Sequence, residues 1–301
     1  MSAPLERGAA TTGWAEQRER SNLCALRFMR WIAVTVGRPA ARCVLHPIAL
    51  YFLVANGRAP GFGEVYRHIH HFAASVLDRV YFLQDRVGEF DIHTRGEDAL
   101  AGPLARRDGA MLVGAHLGSF EVLRALSAAR GVKVAMLMYE DNARLINAAL
   151  AAIAPDARLH TIALGRASAM LSLRRWLDGG GLAGLLADRT LPGPSARSRT
   201  LQLPFLGAPA RFSDGPFRLA AMLRRPVIFM AGLYLGGRRY ELRFVELADF
   251  REPVPPGELD ERIADVMRRY VAVLEALCLE TPYNWVNFFD FWAVDATSDA
   301  A

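Results

Sequence analysis

Lysine is almost missing from this chain of 301 residues: Lys133 is the only one, and every other basic residue that carries a full charge is arginine. The formal net charge is nonetheless +5, which favours anionic partners such as phospholipid head groups, an acidic carrier protein or nucleic acid. It does not choose among them, and a GC-rich genome explains the arginine preference more simply than a phosphate-binding specialisation. Cysteine is scarce as well. Cys24, Cys43 and Cys278 are widely spaced and form no CxxC pair, which excludes a disulfide framework and a cysteine-based zinc site and fits a reducing compartment. A basic leader followed by an apolar core and a small-residue cleavage site is absent, so no secretory signal is expected. No long apolar run is present either. The best, Cys43 to Gly57, carries no formal charge, but as helix it rises only about 22 Å against a hydrocarbon core of about 30 Å, and Pro47 interrupts it. The glycines Gly179 to Gly181 lack the lysine of a P-loop and precede a strand, so they read as a helix C-cap and turn.

What is present centres on Met111 to Ala129. Met111 to Ala115 is a continuous apolar run suited to a buried strand, whereas Phe120, Leu123, Leu126 and Ala129 recur at helical spacing. His116 falls at the join. Gly118 allows a sharp turn, Ser119 is placed to cap a helix starting near Phe120, and Glu121 lies in its first turn. Because His116 precedes the helix, the Glu121 carboxylate is expected to fold back toward the imidazole. Such a pair suits acyl transfer: a neutral imidazole takes the proton of an attacking hydroxyl, and a carboxylate on its other nitrogen fixes the tautomer.

From there the chain alternates. Strands are expected over Val132–Met138, Leu159–Ala163 and Leu182–Ala187, and helices over Asn142–Ala154 and Arg166–Asp178. This pattern implies an α/β fold with a mostly parallel central sheet flanked by helices. Ligands gather beyond the carboxyl ends of such strands, where both His116 and the pair Asp188–Arg189 fall. The long loop after Arg189 has the composition of a lid or binding loop. Further on come a turn at Leu206–Pro209, the residues Arg211, Ser213 and Asp214, a helix over Gly215–Leu223, strands over Val227–Leu233 and Tyr240–Glu246, and a helix over Leu259–Leu279. Ser213 or Asp214 can cap the helix at Gly215, and that helix start also offers free amides to an oxyanion. The aromatic tail, with Trp285, Phe288, Phe289, Phe291 and Trp292, is expected to pack on the core.

Toward the amino terminus, residues 1–13 are small and polar and are expected to be disordered; 14–57 form a membrane-associated helical region, and 58–301 the α/β domain. The apolar patches Trp31–Gly37 and Cys43–Gly57, edged by Arg38 and Arg42, suggest an amphipathic helical hairpin dipping into one leaflet. Glu89 to Arg107 reads as a polar connector with a short strand around Phe90–Arg95. His68, His70 and His71 lie on a helix that spans Val65 to Leu83. Only His68 and His71 share a face and no acidic third ligand is at useful spacing, so a solvated face is expected and no metal.

Taken in order, HLGSFE (116–121), LLADR (185–189), FLGAPARFSDGPFRLA (205–220) and the aromatic tail resemble the late acyltransferases of lipid A biosynthesis, a branch of the lysophospholipid acyltransferase superfamily, over residues 14–292. The resemblance implies His116 as general base with Glu121 as its partner, Asp188 and Arg189 beside the site, and Arg211 in acceptor or donor binding, with Ser213 and Gly215 shaping that turn. It also implies an acyl carrier protein thioester as donor, a lipid acceptor, no cofactor, and the cytoplasmic face of a bacterial inner membrane. Many members have a longer amino-terminal span and a glutamine where this chain has Arg189, which leaves the acceptor open among glycolipid, amino-acid lipid and pigment or polyene lipid. Two other readings compete. One is a thioesterase or lipase with Ser119 as nucleophile, although HLGSFE lacks the G-x-S-x-G elbow. The other is a non-catalytic membrane-bound module that docks a carrier protein.

Overall fold

The computed structural model describes residues 28–55, 61–139, 160–164, 167–189, 199–255, 257–287 and 291–292. The expected disordered tail, the helix over 142–154, most of the loop after Arg189, and Phe288 and Phe289 lie outside them.

The apolar run before His116 forms β2 (Ala110–Gly114), whose five residues are all buried. Met111 and Val113 face one core while Ala110 and Leu112 face another, as the two-residue period of a strand requires. It pairs in parallel with β5 (Leu182–Leu186) on one side and with β8 (Pro226–Tyr234) on the other. β3 (Val134–Tyr139) and β4 (Thr161–Leu164) extend the sheet past β5. Past β8 come β9 (Arg239–Asp249) and β1 (Asp91–Arg95), giving the order β1-β9-β8-β2-β5-β3-β4. Among the described residues of this sheet, only the β8–β9 pairing is antiparallel.

Helices cover both faces. On one face lie α1 (Arg38–Ala55), α2 (Phe62–Leu83), α3 (Asp98–Arg106) and α4 (Phe120–Ala129), and on the other α5 (Ala167–Asp178), α6 (Gly215–Leu223) and α7 (Leu259–Glu280). The expected polar connector contains α3: Gly102 and Pro103 give it the composition of a linker, yet the half-buried Leu100 and Leu104 pack it against the core. The expected turn at 206–209 is shorter. Leu206 and Gly207, with φ of 50° and 83°, close a hairpin of β6 (Thr200–Phe205) and β7 (Ala208–Ser213). Pro204 and Pro209 sit opposite each other in this two-stranded ribbon, where unpaired edges tolerate proline.

A π-helical turn, Ile32–Val36, ends at Gly37 (φ 108°), and α1 then runs without a break through Pro47. Among the described residues no helix is long and apolar enough to cross a membrane. Arg38, the first residue of α1, donates from Nε and Nη2 to the two oxygens of buried Asp78 on α2, at 2.7 and 2.8 Å. The Tyr240 hydroxyl donates to the same carboxylate at 2.9 Å. One acid thus joins α1, α2 and the sheet.

Candidate active site

β2 and β5 are in register with Gly114 opposite Leu186. Two residues further, this register sets His116 opposite Asp188, beyond the carboxyl ends of neighbouring strands. The Asp188 carboxylate accepts the His116 Nδ1–H at 2.9 Å through Oδ1 and the His116 backbone N–H at 3.0 Å through Oδ2. Asp188 is fully enclosed; burial works to raise its pKa, but the His116 contacts and the Arg189 charge together hold it below the ordinary aspartate value. An ionised carboxylate can only accept, so the imidazole carries a proton on Nδ1, and its neutral form has its lone pair on Nε2. The His116 side chain is 32% exposed, which leaves that nitrogen open to a substrate.

This geometry corrects the expected partner. Glu121 does not reach the imidazole. Its Oε2 accepts the Ser119 hydroxyl at 2.9 Å and lies 3.2 Å from Arg79 Nε on α2. The first turn of α4 packs toward α2, and the cation there draws the carboxylate to the far side of the loop. Asp188, expected beside the site, is the acid on the imidazole. Ser119 takes the N-cap position of α4, but its hydroxyl serves Glu121 rather than a helix amide, and at 1% exposure it offers no accessible nucleophile.

The loop carrying His116 is fixed by close backbone approach. Gly118 has φ of 76°, and a Cβ there would lie 2.0 Å from the Gly232 carbonyl oxygen; a Cβ on Gly232 would lie 2.2 Å from the Ser119 oxygen. Only two glycines let the loop rest on β8, where the Ser119 N–H donates to the Gly232 oxygen at 2.8 Å. On its other side the loop pairs with residues 284–286: Leu117 bridges Trp285, Gly118 N–H donates to the Asn284 oxygen, and Val286 N–H to the His116 oxygen. Beneath it, Tyr270 of α7 donates its hydroxyl to the Gly114 oxygen at 2.9 Å.

Arg189 is drawn into the same site, with Nη2 donating to the Val286 oxygen at 3.1 Å. Burial lowers the pKa of its guanidinium while Asp188 raises it, and the net direction is down. Arg211 stands elsewhere in the ribbon, exposed on β7 between the inward Ala210 and Phe212. Ser213 closes the ribbon, its Oγ accepting the Gly215 N–H at 3.2 Å at the start of α6. The neighbouring Asp214 is buried against the Arg199 N–H and the Arg218 guanidinium. The ribbon meets the site through Phe205, which packs on Trp285, Phe291 and Trp292, so the described part of the aromatic tail is packed as expected.

The histidines of α2 do not form a solvated face. His68 Nε2 donates to the Trp285 oxygen and His71 Nε2 to the Tyr234 oxygen, both at 2.9 Å. Burial lowers the pKa of both, with the backbone bonds opposing it, so both rings are neutral donors at neutral pH. His70 stacks on His46 of α1. Among the described residues no three His, Cys, Asp or Glu side chains come together as a metal site. Cys278 is buried near Asp188, and burial first, then that charge, pushes its thiol up to about 12, so it is no thiolate at neutral pH.

No family model and no curated protein matches this chain. Among solved structures it is similar to the crystal structure of a 1-acyl-sn-glycerophosphate acyltransferase from Thermotoga maritima, at 13% identity over 84% of this chain and 96% of that one, with a TM-score of 0.38.

Proposed function

We propose that this chain is a membrane-associated acyltransferase that moves a fatty acyl group from an acyl carrier protein thioester to the hydroxyl of a lipid or glycolipid, at the cytoplasmic face of a bacterial inner membrane. The observation that carries the reading is His116, with Nδ1–H held by a buried carboxylate and Nε2 facing out. Nε2 takes the proton of the acceptor hydroxyl as its oxygen attacks the thioester carbon. Collapse of the tetrahedral intermediate expels the carrier thiolate, which takes the proton back from the imidazolium. Arg189 stands beside Asp188 with a charge to offer the oxyanion. The buried, carboxylate-bound Ser119 hydroxyl favours direct transfer over a serine acyl-enzyme. The exposed Trp31, Tyr51 and Val54 favour a lipid phase as the source of the acceptor.

His116→Ala should abolish thiol release from acyl carrier in the presence of acceptor lipid while leaving the circular dichroism spectrum unchanged. A folded His116→Ala protein with normal turnover would dismiss the reading.

A further inference from the structure

Residues 283–286 are held at three consecutive carbonyls by three different parts of the molecule. The Asn284 oxygen accepts Gly118 N–H at 2.8 Å, the Trp285 oxygen accepts His68 Nε2 at 2.9 Å, and the Val286 oxygen accepts Arg189 Nη2 at 3.1 Å. Val286 N–H closes the pattern on the His116 oxygen at 2.7 Å. The register of the segment is set by one side chain. Asn284 is buried, its Oδ1 accepts Tyr234 N–H at 2.8 Å and its Nδ2 donates to the Tyr234 oxygen at 3.0 Å, so the amide copies a strand partner at the end of β8. The same Tyr234 oxygen accepts His71. The segment that bonds to the His116 loop is thus anchored to α2 through His68 and to the end of β8 through Asn284.

We propose that residues 283–286 are a positioning strap for the His116 imidazole, with Asn284 setting its register and His68 tying it to α2. The proposal rests on His116 being the base of the reaction proposed above. The strap touches no reacting atom. It fixes the main chain from the His116 carbonyl to the Gly118 N–H, and so the direction in which Nε2 points once Asp188 has fixed the ring.

A loosened strap should misplace the base without altering the substrate surfaces. Asn284→Ala should lower kcat by about 10- to 100-fold and leave KM within about twofold, because sub-ångström errors at a base cost rate rather than binding. His68 offers a test by rescue. His68→Phe keeps the ring but loses the donor, whereas His68→Gln carries an amide N–H at similar reach; the first should lose about tenfold in kcat and the second should recover most of it. A readout independent of turnover is the proton resonance of His116 Nδ1–H, assigned by its loss in His116→Ala. It should shift or broaden in Asn284→Ala and in His68→Phe and stay in place in His68→Gln. A folded Asn284→Ala protein with wild-type kcat and an unmoved resonance would overturn the strap, as would His68→Gln behaving like His68→Phe. If Asn284→Ala does not fold, the His68 pair decides alone. If the wild-type protein transfers no acyl group, the resonance still reports on the strap, so the two proposals fail separately.

Discussion

The sequence reading pairs Glu121 with His116 and sets Asp188 beside the site, and the structure gives the two carboxylates different work. Asp188 is bonded to the imidazole, whereas Glu121 is bonded to the Ser119 hydroxyl and lies against Arg79. Asp188→Asn can accept only one of the two bonds now made and no longer stabilises an imidazolium, so kcat should fall by about 10²- to 10⁴-fold. In Glu121→Gln kcat should fall far less, since that side chain bonds Ser119 and not the ring; a larger loss in Glu121→Gln than in Asp188→Asn would reverse the two roles. Asp188 also links folding to acidity. A carboxyl held below its unfolded value stabilises the fold where it is ionised in both states, above about pH 4, and the contribution disappears as pH falls through the lower folded value. The difference in melting temperature between the wild type and Asp188→Asn should therefore be flat from neutral pH down to about pH 5 and shrink below about pH 4. Nothing in linear spacing pointed to Asp188 as the partner of His116. The pair is created by the register of two parallel strands separated by a long stretch of chain, and a five-residue spacing to Glu121 was the only acid near His116 that sequence could offer.

Among the elements, the contact of the His116 loop with β8 depends on Gly118 and Gly232. Gly232→Ala would press a methyl group into the Ser119 carbonyl and the Val122 side chain. It should cost about 1–3 kcal/mol and lower activity with it. Gly257→Ala, with open space around the position, serves as the control and should change neither. Thermal melting of both proteins checks this. The central strands were legible because buried parallel strands are unbroken apolar runs, as in Met111–Ala115 and Leu182–Ala187. The helix at Gly215–Leu223 agrees residue for residue with its apolar spacing and preceding polar pair. Two elements were hidden by composition. Pro103 disguised α3, and Pro204 with Pro209 hid the two strands on either side of the expected turn. Asn284 and His68 were equally invisible as parts of the site, because their role is to hold main-chain atoms that no side-chain pattern records.

At the scale of the whole molecule, the amino-terminal helices and the sheet meet at Asp78. Asp78→Ala would leave Arg38 and the Tyr240 hydroxyl facing a buried gap, and breaking one side of such a pair costs about 3–5 kcal/mol. Urea unfolding should show that loss as a lower midpoint. The same helices expose Phe28, Trp31, Leu50, Tyr51 and Val54, a large apolar display for a chain in which no described helix is long and apolar enough to cross a bilayer. We expect the protein to sediment with anionic phospholipid vesicles and to lose most of that binding when Trp31, Tyr51 and Val54 are together replaced by glutamate. Vesicle binding that survives the triple substitution would place the lipid-facing surface elsewhere.

The bonding of the His116 loop to residues 284–286 has a temporal consequence. A polypeptide emerging from the ribosome delivers the imidazole and Asp188 long before it delivers the stretch that steadies them. A nascent chain would thus hold both halves of a proton relay yet be unable to aim it. The proposed transfer would start only after synthesis had passed Val286, a form of restraint written into the order of translation.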